Sequence, residues 1–264
     1  MTLYAPHPRA DDRIRVMNGS RVAVIVSLFL MLVPRPAFGF FEIFEQLKQE
    51  IRTIEQSKQG EDRDAVVRTL DTAGKFNDVG EKDWFYQYVS STARWGIVSG
   101  YKDAAGKSTG TYGAGNTVTV AEILKMALKA AQVDETACSG TPGFAQAETH
   151  WARAFVLCAQ EKKMRLIASR PDLNRPALRG EVLSVVFDAF GDTVPPLFAP
   201  FKDAENHPLE SDIAYAAALR MVNGDRDGSG LPLGTFRPNA AVNRAEAAKI
   251  IYERLRVEVM ERQK

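Results

Sequence analysis

The residue of this chain that most clearly indicates binding chemistry is Arg244, which directly follows a helix-capping residue. Asn243 can accept a hydrogen bond from the first turn of a helix, and Glu246 can reach back to complete a capping box. A cation is mildly unfavourable at the positive end of the helix dipole. An arginine beside unpaired helix-start N–H groups makes a good site for a carboxylate or phosphate, so we predict an anion site here.

The same kind of helix start occurs twice more, at intervals of roughly sixty residues, which identifies an internal repeat. Thr119 and Glu122 form a capping box in the first copy. In the second copy Leu178 replaces the capping residue, but Arg179 and Glu181 remain. Apolar residues follow each start at helical spacing. The chain is therefore predicted to contain three units of helix, loop and helix.

Aromatic, acidic and glycine residues also recur upstream of each start. The first unit contains F-N-D-V from Phe76 and G-I-V-S-G-Y from Gly96. The second unit keeps an H-W-A triplet from His150, but residues 163–165 (K-M-R) stand where the glycine-led turn was. The third unit contains F-K-D-A from Phe201. The second unit is the most diverged of the three.

This set of motifs resembles the S-layer homology (SLH) family, whose pattern is F-x-D-V, H-W-A, G-I-x-x-G-Y, a G-x-F-x-P loop and T-R-A-E. The resemblance implies a mainly α fold in which three helix-loop-helix SLH-like repeats form one pseudo-threefold module, preceded by an amphipathic helix. The expected domains are a signal peptide at 1–39, the helix and a linker at 40–75, and SLH-like repeats at 76–135, 136–195 and 196–264.

Members of this family typically bind secondary cell-wall polymers, often pyruvylated polysaccharides, in grooves between units, and the arginine of T-R-A-E takes part. The resemblance therefore implies that Arg179 and Arg244 contact a ligand carboxylate. The residues that it places in grooves or loops are Trp84, Trp151, Gly100, Tyr101, Gly224, Asp78 and Asp203. The residues that it assigns to helix starts are Thr119, Glu122, Glu181, Asn243 and Glu246.

Two features weaken this assignment of ligand contacts. Packing or turn geometry explains the groove and loop residues at least as well as ligand contact, and for Trp84 core packing is the favoured interpretation. Val120 stands where the first repeat should have its arginine. We therefore expect a groove that relies on this position to lack its cation.

Residues 1–39 have the features of an export signal. Arginines precede an apolar run that starts at Val22 and is about twelve residues long, short for a membrane span of roughly twenty. Ala37 begins a stretch of small residues that a signal peptidase would read. We predict cleavage near residue 39 and a location at the cell surface or in the cell envelope. Met17 is an alternative start, and a buried helix or uncleaved anchor is the competing interpretation.

Residues 40–73 show apolar residues at three- and four-residue steps, including Phe44, Leu47 and Ile51. This helix can pack on the repeats as a cap, or it can engage a protein partner. The segment is too short for a convincing coiled coil. We favour the cap or an amphipathic spacer.

Two cysteines and one acidic loop are further candidate sites in the sequence. In an exported protein, Cys138 and Cys158 can form a disulfide, but the sequence leaves unpaired thiols equally open. With His150 they do not form a zinc spacing, and no metal site is expected. Residues 223–228 match the first half of a calcium loop, but its twelfth position is Gly234 rather than glutamate. A polar turn is the favoured interpretation.

Composition gives little support to other functional classes. The 34 basic and 33 acidic residues are balanced, which gives no argument for binding nucleic acid. His7, His150 and His207 belong to no nucleophile motif, and we expect neither an enzyme nor a cofactor. A paired-carboxylate hydrolase is not excluded. The predicted function is noncovalent anchoring to a cell-wall polysaccharide. The alternative is an envelope scaffold that uses residues 40–73 for protein contacts.

Overall fold

The computed structural model describes residue 45, residues 48–53 and residues 76–261, with the last two as backbone only. This part of the chain is mainly α-helical, as predicted, and it contains isolated β-bridges but no strand. The predicted signal peptide, its cleavage position and Met17 lie outside the described residues. After the helical segment 48–53, the helices are α1 (Tyr86–Arg94), α2 (Val120–Ala130), α3 (Ala145–Thr149), α4 (Arg153–Glu161), α5 (Arg165–Ala168), α6 (Arg179–Phe190), α7 (Glu210–Ala218) and α8 (Arg244–Glu261).

Helices α2 and α8 begin with complete capping boxes. Thr119 Oγ1 accepts the Glu122 N–H at 3.2 Å, and Glu122 Oε2 accepts the Thr119 N–H at 2.8 Å. Asn243 and Glu246 make the equivalent two bonds at 2.8 and 3.1 Å. At α6 only the glutamate half of the box remains, because Leu178 has no side-chain acceptor.

The segments that precede α2, α6 and α8 meet in a closed ring of three backbone hydrogen bonds. The Val118 N–H donates to the Val242 carbonyl at 2.9 Å, and the Val242 N–H donates to the Ala177 carbonyl at 3.1 Å. The Ala177 N–H closes the ring by donating to the Val118 carbonyl at 2.9 Å. The ring arranges the three helix starts around one centre.

Two residues further on, each of these helices begins against the loop of a different unit. The first residue of the helix donates its backbone N–H to a carbonyl in that loop, at 2.9 or 3.1 Å. The side chain at this position therefore points away from its own unit and toward a neighbour. The three pairs are Arg244 with Asn116, Arg179 with Ala240, and Val120 with Arg175.

A single hydrophobic core unites the helices. Helices α2, α6 and α8 pack against one another, α4 packs on α2, and α7 packs on α6. Helix α1 packs on α8, where the Trp95 ring stacks on Tyr252 at 6.0 Å and the Tyr88 ring meets Tyr252 edge-on at 5.3 Å. This common core fixes the relative positions of loops that come from different units.

Residues 48–53 lie against α1. Ile51 is buried in the core, and the Glu50 carboxylate accepts hydrogen bonds from Ser91 Oγ at 2.6 Å and from Arg94 at 3.2 Å. Burial raises the pKa of Glu50, and the contacts with Ser91 and Arg94 only partly oppose it. This placement is the one expected of a cap. The rest of the segment 40–75 lies outside the described residues.

Cys138 and Cys158 form a disulfide that ties the segment before α3 to α4. Of the two states that the sequence leaves open, this is the one in the structure. No helix among the described residues is long and apolar enough to cross a bilayer.

Candidate functional site

The Arg244 side chain is buried in the first unit, although its backbone belongs to the third. Its Nε donates to the Tyr112 carbonyl at 2.9 Å, its Nη2 to the Ser99 carbonyl at 2.8 Å and its Nη1 to the Glu122 carboxylate at 3.1 Å. Only 6% of Arg244 is exposed. With three of its five N–H groups engaged, this arginine is mainly a fixed positive charge beneath the surface.

Arg244 also lines an open groove, here called groove A, with a cavity volume of about 160 Å³. The Tyr101 ring forms part of its wall, and its centroid lies 5.0 Å from the Arg244 guanidinium. Helix α2 supplies another part of the wall, and one tryptophan comes from the second unit. The lining residues are Ile97, Val98, Ser99, Gly100, Tyr101, Lys102, Glu122, Lys125, Met126, Trp151 and Arg244.

Groove A has an excess of positive charge. The side chains of Lys102, Lys125 and Arg244 share it with the single carboxylate of Glu122. The pKa of Lys125 is lowered, first by burial and then by the positive charges of Lys129, Lys102 and Arg244. An anion in the groove would relieve this repulsion, so the electrostatics favour a negatively charged ligand.

A second groove, here called groove B, occupies the equivalent position in the third unit, with a volume of about 290 Å³. Arg179 enters it from the second unit. Its Nε donates to the Phe236 carbonyl at 3.0 Å, its Nη1 to Glu246 at 3.2 Å, and its guanidinium lies 4.6 Å from the Phe236 ring centroid. The lining residues are Trp84, Arg179, Met221, Val222, Asn223, Gly224, Asp225, Arg226, Arg237, Glu246, Lys249 and Ile250.

Groove B is also rich in cations. Burial lowers the pKa of Arg179, an effect that Glu246 and Asp225 oppose. Two hydrogen bonds of 2.8 Å join Arg237 to Asp225, and these bonds hold the pKa of Asp225 below its ordinary value. Lys249 lies on the wall formed by α8. With Arg226, four cations of groove B face two carboxylates, and this groove too favours an anion.

Both grooves receive an exposed tryptophan from a different unit. Trp151 of the second unit lines groove A, and Trp84 of the first unit lines groove B. The exposed fraction is 57% for Trp151 and 56% for Trp84. The favoured interpretation of Trp84 as a core residue is therefore wrong. Its position follows from α1 packing on α8, which carries Trp84 to the third unit.

The structure also shows which groove lacks its arginine because of Val120. Because each helix start enters the loop of another unit, Val120 lies at the second unit and not in the groove of the first. Groove A keeps its cation in Arg244. At the position around Val120, Arg175 and Glu181, here called groove C, two hydrogen bonds of 2.8 and 2.6 Å join Arg175 to Glu181. Arg175 thus pairs with the glutamate in place of the missing arginine.

Asp78 and Asp203 hold loops in place. Asp78 accepts the N–H groups of Tyr112 and Gly113, both at 2.7 Å. Asp203 accepts the N–H groups of Phe236 and Arg237 at 2.8 and 2.7 Å. Each aspartate uses both oxygens on the loop that leads into the next helix. Their contacts in the structure are with the backbone that shapes the grooves.

Gly100 and Gly224 line the grooves, but close approach of the chain also requires them to be glycine. A Cβ on Gly100 would lie 2.7 Å from the Phe76 ring and 2.7 Å from the Thr111 carbonyl. A Cβ on Gly224, where φ is +69°, would lie 2.4 Å from the Phe201 ring. Both positions therefore combine a packing constraint with a place on the groove wall.

The loop considered for calcium is a short hairpin turn. The Asp225 N–H donates to the Thr235 carbonyl, and the Leu233 N–H donates back to the Asp225 carbonyl. Asp227 Oδ1 accepts the N–H groups of Ser229 and Leu231. Asp225 is engaged by Arg237, as described above. The carboxylates of this loop are used in turn geometry and in an ion pair.

Sequence reasoning missed three charged residues of these sites. Lys125 and Lys249 lie three residues after Glu122 and Glu246, on the helix face that each glutamate shares with its groove. This spacing was available in the sequence as a signal. The role of Arg175 has no such signal in the sequence. Arg175 pairs with Glu181 because Val120, which the first unit supplies at this position, cannot.

One comparison with known proteins supports a family assignment. Residues 200–248 match the family model of the S-layer homology domain. This range includes the hairpin of groove B and the start of α8. The two preceding units lie outside the matched range, so their assignment to the family stays a prediction. A search of curated proteins found no match.

Proposed function

We propose that this chain is an exported cell-envelope protein that binds an anionic cell-wall glycan noncovalently through grooves A and B. One observation carries the proposal: each groove combines an exposed tryptophan, a lysine and an arginine held by hydrogen bonds, and the three come from different units. The proposed role is binding without turnover. The S-layer homology match at residues 200–248 supports an anchoring role at the cell surface.

The chemistry of the grooves fits a charged sugar. A tryptophan face offers a flat apolar surface on which the C–H groups of a pyranose ring can stack. A lysine supplies a mobile ammonium for a carboxylate, while the hydrogen-bonded guanidinium adds a fixed positive charge in a partly desolvated site. We assign direct contact with the ligand carboxylate to Lys125 and Lys249. Arg179 and Arg244 preorganise the grooves from below.

A ketal-linked pyruvate suits these grooves especially well. Its ketal carbon bears a carboxylate and a methyl group, so one substituent needs a cation and the other an apolar contact. Groove A offers Lys125 with Trp151, and groove B offers Lys249 with Trp84. We therefore propose a pyruvylated wall polysaccharide as the ligand.

Cosedimentation of the chain from residue 40 to residue 264 with purified cell-wall sacculi tests the proposal. We expect binding that is lost after mild acid removes ketal-linked pyruvate, and that is strongly reduced by Lys125→Ala with Lys249→Ala. The control Lys162→Ala with Lys202→Ala removes the same charge at two exposed lysines outside both grooves and should bind normally. Equal binding before and after acid treatment would contradict the proposed ligand.

A further inference from the structure

We infer that the chain binds two glycan residues, one in groove A and one in groove B, and none in groove C. This inference rests on the proposed function, because it concerns the stoichiometry of that same binding. Three local differences distinguish groove C from the other two.

Groove C is the structural counterpart of grooves A and B. The Val120 N–H donates to the Arg175 carbonyl, as the Arg244 and Arg179 N–H groups do to their partner loops. Glu181 accepts the N–H of Leu178 at the start of α6, the role that Glu122 and Glu246 play in α2 and α8. The same framework therefore surrounds a different set of side chains.

The arginine, the lysine and the tryptophan of grooves A and B are all missing from groove C. Val120 takes the place of the arginine and is fully buried. Ser184, three residues after Glu181, takes the place of the lysine and is 2% exposed. Pro208 takes the place of the tryptophan, because it follows His207 as Trp151 follows His150, and the two histidines make equivalent contacts. His207 contacts Asn239 as His150 contacts Asn174, at 3.2 and 3.0 Å.

Groove C lacks the excess of positive charge found in the other grooves. Its Arg175 guanidinium is joined to the Glu181 carboxylate, so the two charges offset each other. Grooves A and B each hold two more cations than carboxylates. An anionic sugar is therefore attracted to grooves A and B more strongly than to groove C.

Two sites on one rigid module make the chain bivalent. A polymer with repeated charged sugars can occupy both grooves, so the second binding event becomes intramolecular. The affinity for the polymer then exceeds the affinity for one sugar, without any contact in groove C.

Isothermal titration of the chain from residue 40 to residue 264 tests this stoichiometry. The probe is the methyl glycoside of a hexosamine with a 4,6-ketal-linked pyruvate, which can occupy only one groove. We expect two sites for the unaltered chain, one site for Lys125→Ala with Trp151→Ala, and one site for Lys249→Ala with Trp84→Ala. Circular dichroism checks that each variant is folded.

Changes at groove C provide the matched control. Ser184→Ala with Pro208→Ala should leave two sites, because neither residue faces a bound sugar. Three sites in the unaltered chain, or one site removed by this control, would overturn the inference while the proposed function stands. A single site would also overturn it. No heat of binding at millimolar probe, together with unchanged cosedimentation after acid treatment, would overturn the proposed function and the inference together.

Discussion

The Arg244 guanidinium lies 3.1 Å from the Glu122 carboxylate, although 122 residues separate the two in the sequence. The same glutamate caps α2 through its other oxygen. One side chain therefore sets a helix start in the first unit and receives a cation from the third. The integrity of groove A and the joining of these two units depend on the same contact.

Replacing Arg244 with alanine is expected to lower the free energy of unfolding by about 3 kcal/mol, because Glu122 and two backbone carbonyl groups lose the donor that the buried guanidinium supplies. Urea denaturation measures the loss. Arg237→Ala is the control: it also breaks an ion pair, but the Arg237 side chain is 59% exposed. Exposed pairs contribute about 0–1 kcal/mol, so a similar loss in both variants would contradict the assigned role of Arg244.

Gly100→Ala is expected to destabilise the protein by about 2 kcal/mol, because the added methyl group overlaps the Phe76 ring and the Thr111 carbonyl. Gly115→Ala provides the comparison in the same loop. A Cβ on Gly115 meets nothing within 4 Å, so this change should be neutral or slightly stabilising. Thermal unfolding of the two variants side by side distinguishes steric overlap from a general loss of loop flexibility.

Removing the disulfide by Cys138→Ala with Cys158→Ala should lower the free energy of unfolding by about 3 kcal/mol in the chain-entropy account. The expected fall in Tm is roughly 6–12 °C for a domain of this size. A reducing agent should lower the Tm of the unaltered chain by a similar amount and leave the variant unchanged. If reduction has no effect on the unaltered chain, the two thiols are unpaired in solution.

Asp78→Asn should make the free energy of unfolding depend less on pH in the acidic range. Burial raises the pKa of Asp78, but hydrogen bonds from the Tyr112 and Gly113 N–H groups outweigh it and hold this pKa below its ordinary value. A lowered folded-state pKa stabilises the protein above the unfolded-state pKa of about 3.9, and this contribution is lost as the pH falls below that value.

The asparagine variant should therefore be less stable than the unaltered chain by about 1 kcal/mol at pH 7, and the difference should shrink by pH 3. Urea midpoints at the two pH values measure it. If the difference in stability between the two proteins is the same at pH 7 and at pH 3, the charge of Asp78 does not contribute to stability.

Local sequence rules predicted the helix starts well. The capping boxes of Thr119 with Glu122 and of Asn243 with Glu246 depend on residues three positions apart, so a reader of the sequence can recognise them. The mainly α fold follows from such local patterns.

Residue contacts between units could not be predicted in this way. Val120 marks a missing arginine in the sequence, but the sequence does not say that this helix start enters the loop of the second unit. Trp84 was expected in the core for a related reason: its exposure depends on α1 packing against α8. The pairing of Arg175 with Glu181 is also a consequence of which side chain the neighbouring unit supplies.

The ring formed by Val118, Ala177 and Val242 means that this module has no end at which a unit can be added or removed. In a solenoid each repeat touches only its neighbours, and stability grows repeat by repeat. Here the first and third units must come into contact before any unit has its full set of contacts. Such closure over a long stretch of chain raises the contact order and slows folding. We expect the three units to fold and unfold together, and a truncated chain of two units to lose more than one third of the stability.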